Sequence, residues 1–409
     1  MLAQFYHPDT GGEERHVQDL SLALVERGHE VAVATLWRDG LAPFESDHGV
    51  RIYRLPSTVH RAEWLFSKDP RKHAPPFPDP ETTRALHKLI EKERPGIVHA
   101  HNWMIYSFLP LKQKSRARLV VTLHDYSLGC AIKRLMYQGS PCKGPALSKC
   151  LGCAREHYGL VKGPPVVLAN RVMSVVEKKN VDQFITVSSA LISGNQLSGS
   201  GVPVQVIPNL IPLDANGASP DLDSRLADLP KEYMLFVGDL SRDKGIEILL
   251  DAYRGLQNAP ALVLIGRRCD HTPERFPKNV HYMGTWPHAA VMAAWQKACL
   301  GLVPSLWQEP FGVVAIEAMA SGKPVIAANT GGLSDIIIDG ETGLLVPPGE
   351  SRALRKAMER LIADKTLRER MGRAARARAA GYQADQVVAQ IEQVYFSLLE
   401  RNRAEETLV

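Results

Sequence analysis

The chain has no long hydrophobic run, and this absence excludes one broad class of protein. No apolar run approaches the roughly 18 residues that a membrane-spanning helix needs. The first residues, MLAQFYHPDTGG, also lack the basic start and the long apolar core of a secretory signal peptide. We therefore expect a cytoplasmic protein, whose contact with a membrane would be peripheral.

The sequence also lacks basic residues interleaved with aromatics as in nucleic-acid modules, so we do not expect a nucleic-acid partner. Its net charge of +5 is uneven, because residues 1–207 carry the whole basic excess. A basic first half favours an anionic surface or a phosphate-bearing substrate, although a mixed solvated surface explains it equally well. The segment at 64–72 is a candidate membrane contact or a half-buried helix end, with Trp64, Leu65 and Phe66 beside Lys68, Arg71 and Lys72.

No internal repeat and no low-complexity segment is present, and the chain instead alternates apolar strands with amphipathic helices. This rhythm predicts an α/β fold with parallel wound sheets. A stretch around Pro208–Pro230 has a linker's composition, and a second strand–loop–helix unit begins near Tyr233. We predict a first domain at 1–207, a second at 208–383 and a C-terminal helix at 384–409 that packs back on the first.

The most specific stretch spans residues 305–350 and begins SLWQEPFGVVAIEAMASGKPV. Glu309 precedes a Pro-Phe-Gly loop, and a helix is predicted from about Gly312 that carries Glu317. The free N–H groups and the dipole of a helix start form an anion site. Two carboxylates beside that site are suited to the hydroxyl groups of a nucleotide-diphosphate sugar.

These residues resemble the signature of the retaining glycosyltransferases of family 4, which have the GT-B architecture. Glu309 and Glu317 match the family's E-x7-E, and the surrounding pattern is reproduced almost throughout. The resemblance extends to Gly11-Gly12, to His124-Asp125 and to Lys244. It implies a GT-B fold, in which two Rossmann-like domains face each other across a cleft. It also implies transfer of a hexosyl group from a nucleotide sugar to an acceptor hydroxyl with retention of configuration.

The resemblance assigns roles to the matching positions. Lys244, Glu309 and His124 would be catalytic, and Gly11 and Asp125 would lie on the acceptor side. His124 would face the donor sugar, and no catalytic metal is expected. The acceptor stays open between a lipid-linked saccharide, a metabolite and a protein. The residues that would bind the donor are Gly12, Arg242, Lys244, Glu309, Phe311, Gly312, Val313 and Glu317.

One departure from the family pattern lies at Gly238-Asp239, where the family has Gly-Arg. An acidic residue there replaces a cation that would contact the diphosphate. Arg242 or Arg267 would then compensate, or the Asp239 side chain would point away from the donor.

Four cysteines follow the His-Asp-Tyr element at 124–126, at Cys130, Cys142, Cys150 and Cys153. Their spacing ends in C-x2-C, which chelates one ion well, and four thiolates suit a closed structural zinc site. We therefore expect structural zinc. Unligated thiols, an iron–sulfur cluster and disulfides are the alternatives. Two further functions remain open beside transfer: a GT-B nucleotide-sugar epimerase or phosphorylase, and a donor-binding protein with impaired transfer.

Overall fold

The computed structural model describes residues 1–8, 11–61, 73–211, 224–269 and 272–407. Contacts divide it into two compact units, which are described separately. The first unit contains residues 1–135, 142–210 and 384–409, and the second contains 136–141 and 211–383. The division thus falls three residues after the position expected from the sequence. The candidate membrane contact at 64–72 and most of the linker, 212–223, lie outside the described residues.

The strands alternate with helices along most of the chain. The strands are β1 (Ala32–Leu36), β2 (Phe44–Asp47), β3 (Val50–Leu55), β4 (Ile97–Ala100), β5 (Arg118–Leu123), β6 (Met136–Tyr137), β7 (Ser140–Pro141), β8 (Gln183–Thr186), β9 (Val204–Val206), β10 (Tyr233–Val237), β11 (Ala261–Ile265), β12 (Val280–Tyr282), β13 (Leu300–Val303), β14 (Val325–Ala328) and β15 (Gly343–Val346). The helices are α1 (Gly12–Glu26), α2 (Thr58–Arg61), α3 (Pro80–Glu93), α4 (Ile105–Phe108), α5 (Lys112–Ser115), α6 (Leu147–Asn180), α7 (Ser189–Gly194), α8 (Ile246–Arg254), α9 (His288–Lys297), α10 (Val313–Ala320), α11 (Leu333–Ile336), α12 (Ser351–Ala363), α13 (Lys365–Ala379) and α14 (Ala384–Thr407).

The first unit contains two groups of strands, ordered β1-β3-β2 and β4-β5-β8-β9. All pairs are parallel except β2 with β3. The apolar start MLAQFY predicts a strand, and its backbone runs beside β1, where the Ala3 N–H donates to the Ala34 carbonyl at 3.1 Å. Leu2 pairs with Ala34 of β1 and with Ala100 of β4, so this one residue joins the two groups.

The second unit is built on one parallel sheet of six strands, ordered β12-β11-β10-β13-β14-β15. Its central strands are almost wholly apolar and buried, as in β11, where all five residues are buried. Helices cover both faces of parallel sheets, which is why such strands show no polar alternation. Leu249, Leu264 and Met358 belong to its core.

The C-terminal helix α14 packs into the core of the first unit. Val387, Val388 and Ile391 are fully buried there, together with Val17 and Leu20 of α1. Burying one such side chain contributes about 1.5–3 kcal/mol, so the helix is an integral part of the unit. In the described part of the chain, no helix is long and apolar enough to cross a membrane.

Candidate active site

The loop that carries Glu309 connects β13 to α10, and two glycine contacts hold it in place. Gly312 caps α10 with a φ of 115°, and a Cβ there would approach a methyl group of Leu333 to 2.6 Å. The N–H of Gly332 donates to the carbonyl of Glu309 at 2.7 Å. Since the first N–H groups of α10 have no partner within the helix, Phe311–Val313 form a ready anion site.

Lys244 and Glu309 form a close ion pair beside this helix start. The Lys244 ammonium donates to Glu309 Oε1 at 2.6 Å, and the Ser305 hydroxyl donates to the same oxygen at 2.7 Å. Burial raises the pKa of Glu309, but the charge and hydrogen bond of Lys244, together with hydrogen bonds from Trp307 and Ser305, hold that pKa below its usual value. Glu309 is therefore a carboxylate, and its partner is an ammonium 32 % exposed.

Glu317 of α10 has a partner that the sequence analysis missed. His288, the first residue of α9, places its Nε2 at 2.9 Å from Glu317 Oε1. Both side chains are at least nine-tenths buried. A lone histidine after Trp-Pro carries no sequence signal for this contact, because it depends on how α9 and α10 pack.

Asp239, the departure from the family pattern, pairs with Arg267. Its Oδ2 accepts a hydrogen bond from the Arg267 guanidinium at 2.8 Å, and this bond and charge raise the pKa of Arg267. Of the two compensating arginines considered above, the structure thus pairs Arg267 with the extra carboxylate. Arg242 lies on the loop after β10, where its carbonyl accepts from the N–H of Gly245 at 2.9 Å.

In the first unit, the paired glycines lie where α1 begins. Gly11 is extended, and a Cβ there would overlap the carboxylate of Glu14. A Cβ on Gly12 would meet no atom within 4 Å. A side chain at Gly11 would therefore displace the Glu14 carboxylate, whereas Gly12 leaves open space beside the helix start.

Glu13 follows these glycines and was not identified from the sequence. Its Oε1 accepts a hydrogen bond from the Asn102 amide. Burial, followed by the charge of Asp125, raises the pKa of Glu13 to about 8. The side chain therefore holds its proton at neutral pH, in contrast to Glu309.

His124 directly follows β5 and belongs to a group of stacked imidazoles. Its Nε2 shares a 3.0 Å hydrogen bond with His101 Nδ1, and the two rings stack at 5.3 Å. The ring of His16 from α1 meets His124 edge-on at 4.9 Å. Burial lowers the pKa of all three rings, that of His16 to about 4. These rings are neutral at pH 7, and we call them the histidine cluster.

Asp125 has a local structural contact rather than one to His124. Its Oδ1 accepts the N–H of Ser127 at 2.8 Å, and its carbonyl accepts the amide of Asn195 at 3.0 Å. This turn anchors the start of the cysteine segment.

The four cysteines of that segment are partly buried, and none of them is in a disulfide. Burial raises the pKa of Cys153, and the thiols of the other three raise it further, so all four are neighbours. Among the described residues, however, the histidine cluster is the one group whose ligand atoms gather within 4.8 Å. The structure thus does not show the expected zinc site, because the sulfur atoms do not all come within 4.8 Å of one another as the ring nitrogens of the histidine cluster do.

Two family models match the chain and together cover most of it. The model described as Glycosyltransferase Family 4 matches residues 10–215, and that described as Glycosyl transferases group 1 matches residues 221–378. These matches do not favour the alternative of an epimerase or a phosphorylase.

Individual relatives agree in length as well as in sequence. The chain is 28 % identical over 411 residues to a glycogen synthase of Mycobacterium tuberculosis, covering 95 % of this chain and 91 % of the relative. It is 26 % identical over 414 residues to a D-inositol 3-phosphate glycosyltransferase of Xylanimonas cellulosilytica, covering 97 % and 94 %. The structure of Anabaena HepE in complex with UDP-glucose matches at a TM-score of 0.66 and 19 % identity, covering 97 % of this chain and 98 % of HepE. The fold expected from the sequence, GT-B with two Rossmann-like domains, is thereby confirmed.

Proposed function

The chain belongs to glycosyltransferase family 4, and we propose that it is a retaining hexosyltransferase that uses a nucleotide-diphosphate sugar. The observation that carries this proposal is the Lys244–Glu309 pair at the start of α10. An ammonium, a carboxylate and free helix N–H groups converge there, and these are the groups that a diphosphate and a sugar require.

The diphosphate of the donor is held by positive charge and backbone donors. Lys244 would leave Glu309 for the phosphate oxygens and neutralise the charge that builds on the leaving group. The N–H groups of Phe311, Gly312 and Val313 would donate to the same anion. Arg242 supplies a further cation on the loop after β10, and the open space beside Gly12 admits a ligand close to backbone N–H.

The two glutamates bind hydroxyl groups. Glu309, relieved of Lys244, accepts from the hydroxyls of the transferred sugar. Glu317 accepts from the ribose diol, and His288 fixes its carboxylate for that purpose.

The reaction retains configuration because attack and departure occur on one face of the sugar. The bond from the anomeric carbon to the phosphate oxygen breaks, and its electron pair leaves with the phosphate. The acceptor oxygen bonds to that carbon, and its proton passes to the departing phosphate oxygen. His124 would hydrogen-bond the sugar, while Gly11 and Asp125 shape the acceptor side. The protein contributes positioning and charge stabilisation.

The proposal fixes the class of the donor, a nucleotide-diphosphate sugar, but not the sugar, the base or the acceptor. HepE was solved with UDP-glucose, so that donor is the first to test here. A lipid-linked saccharide, a metabolite or a protein could be the acceptor, and the basic excess in residues 1–207 suits an anionic one or a peripheral membrane contact.

Structural zinc at the four cysteines stays a separate proposal, supported by their spacing and their neighbouring thiols. Cys130, Cys142, Cys150 and Cys153 would hold the ion, which stiffens the segment and takes no part in transfer. Metal analysis of the purified chain tests it. A zinc content well below one equivalent, in protein never exposed to chelator, would contradict it.

The function is tested with a panel of nucleotide sugars, with and without candidate acceptors. We expect slow hydrolysis of one donor alone and faster turnover with an acceptor. Proton NMR of the product should show the same anomeric configuration as the donor. An inverted product would refute retention, and binding of a donor without any turnover would refute the transferase.

A further inference from the structure

The histidine cluster has the composition and spacing of a metal site. His16, His101 and His124 each offer one ring nitrogen, and these atoms all lie within 4.8 Å of one another. The rings come from three separate elements: α1, the end of β4 and the end of β5. Because α1 packs against the strand ends, the fold brings together residues that are far apart in sequence.

Most ring nitrogens of the cluster lack a well-formed hydrogen bond within the described part of the chain. Both nitrogens of His16, Nε2 of His101 and Nδ1 of His124 are buried without a well-formed hydrogen bond among the described residues, and the Asn209 side chain lies beside the His124 ring. His16 is only 4 % exposed. A buried polar atom without a partner costs about 1–3 kcal/mol, and native proteins rarely leave several in one place. This concentration therefore calls for a ligand that uses nitrogen lone pairs.

The protonation state of the rings matches that requirement. Neutral imidazole is the form that binds a metal ion, and protons compete with the metal only when the ring is charged. Burial lowers the pKa of all three rings, that of His16 to about 4. At neutral pH no ring has to lose a proton, and no charge repels a cation.

We propose that His16, His101 and His124 bind one zinc or cobalt(II) ion as a three-histidine site with one open position. Three imidazoles suit borderline divalent ions, and the fourth position is left for water or another small ligand. The site differs from that proposed for the cysteines, because its ligands are nitrogens. If the proposed function is correct, a bound ion occupies His124 and inhibits transfer.

The test is a titration of the metal-free full-length protein with cobalt(II), followed by visible absorption. We expect one equivalent with the d–d bands of a four-coordinate ion that adds no thiolate-to-cobalt charge transfer, besides any cobalt that the cysteines bind, which that charge transfer marks. His16→Ala should weaken this binding at least tenfold. The control His87→Ala, on the exposed face of α3, should leave it unchanged.

The outcomes separate this proposal from the proposed function, since absorption is measured without any substrate. Circular dichroism establishes that each variant is folded, and His101→Gln provides the same comparison if His16→Ala unfolds. If the wild-type spectrum shows cobalt bound only by thiolates, or shows no bound cobalt at all, the site is overturned whatever the variants do. Unchanged affinity in folded His16→Ala would overturn it as well.

Discussion

Two buried glutamates of the first unit, Glu13 and Glu177, have properties opposite to those of Glu309 in the second, although the residue type is the same. In the second unit, Lys244 holds the pKa of Glu309 below its usual value. In the first, burial raises the pKa of Glu13 and of Glu177 to about 8. The difference is the cation, which only Glu309 has in contact. The Lys244–Glu309 pair thus presents charge, which suits a diphosphate, whereas Glu13 and the histidine cluster are neutral, buried groups, which suit hydroxyls or a metal.

Removing the charge of Glu309 should break this contrast most severely. In Glu309→Gln, Lys244 keeps its charge but loses its partner, and the sugar loses a carboxylate acceptor. We expect kcat to fall about 10²–10³-fold, the magnitude typical of losing one transition-state contact. Release of nucleotide measures it. Glu359→Gln, on the exposed face of α12, is the control and should retain full activity.

Neutralising Glu177 tests whether the buried glutamates of the first unit are protonated in the folded protein. A raised pKa means that Glu177 supports folding fully below about pH 4.5 and loses that contribution as pH rises through about 8. Wild type should therefore lose about 3 kcal/mol relative to Glu177→Gln between pH 4.5 and pH 7. Urea unfolding of both proteins across this range measures it. Parallel pH profiles would show that Glu177 is ionised in the fold.

Removing His288 should affect donor binding more than chemistry. The contact with Glu317 is buried, and a hydrogen bond to a charged group contributes about 1.5–3 kcal/mol. We expect His288→Ala to raise the KM for the donor about tenfold with little change in kcat. His288→Asn, which keeps a donor group, should recover part of the loss. A fall in kcat with unchanged KM would place His288 in the chemical step instead.

Changing Asp239 should have the smallest effect. Its pair with Arg267 is exposed, and such pairs contribute at most about 1 kcal/mol. Asp239→Arg should therefore keep activity, and it should tighten donor binding by placing a cation near the diphosphate. Kinetics with varied donor concentration measure this, and a severe loss of turnover would reveal a separate role for Asp239.

Much of the fold could be predicted because its signals are local. Apolar runs such as YMLFV and ALVLI became β10 and β11, and the strand ends carry the polar residues expected there. The segment predicted as a strand, MLAQFY, runs beside β1 with backbone hydrogen bonds from Met1 to Gln4, although only Leu2 forms ladder bridges.

The site could be predicted only where a contiguous motif carried it. Glu309 and Glu317 lie in one stretch of sequence. Their partners come from elsewhere in the second unit: Lys244 from the loop after β10 and His288 from α9. Lys244 was reached through the family resemblance. The strand GIVHAHN places His101 at a sheet edge where ligands bind, but His16 gives no such signal, and the cluster exists only once α1 meets β4 and β5.

The contrast between the two units is tested most directly by calorimetric titration with the nucleoside diphosphate of the accepted donor, starting with UDP. Wild type, Lys244→Ala and His124→Ala would be compared at the same pH and salt concentration. We predict that Lys244→Ala weakens binding at least tenfold, while His124→Ala binds like wild type. Equal binding by Lys244→Ala and wild type, or a loss confined to His124→Ala, would contradict the assignment of the diphosphate to the charged groups of the second unit.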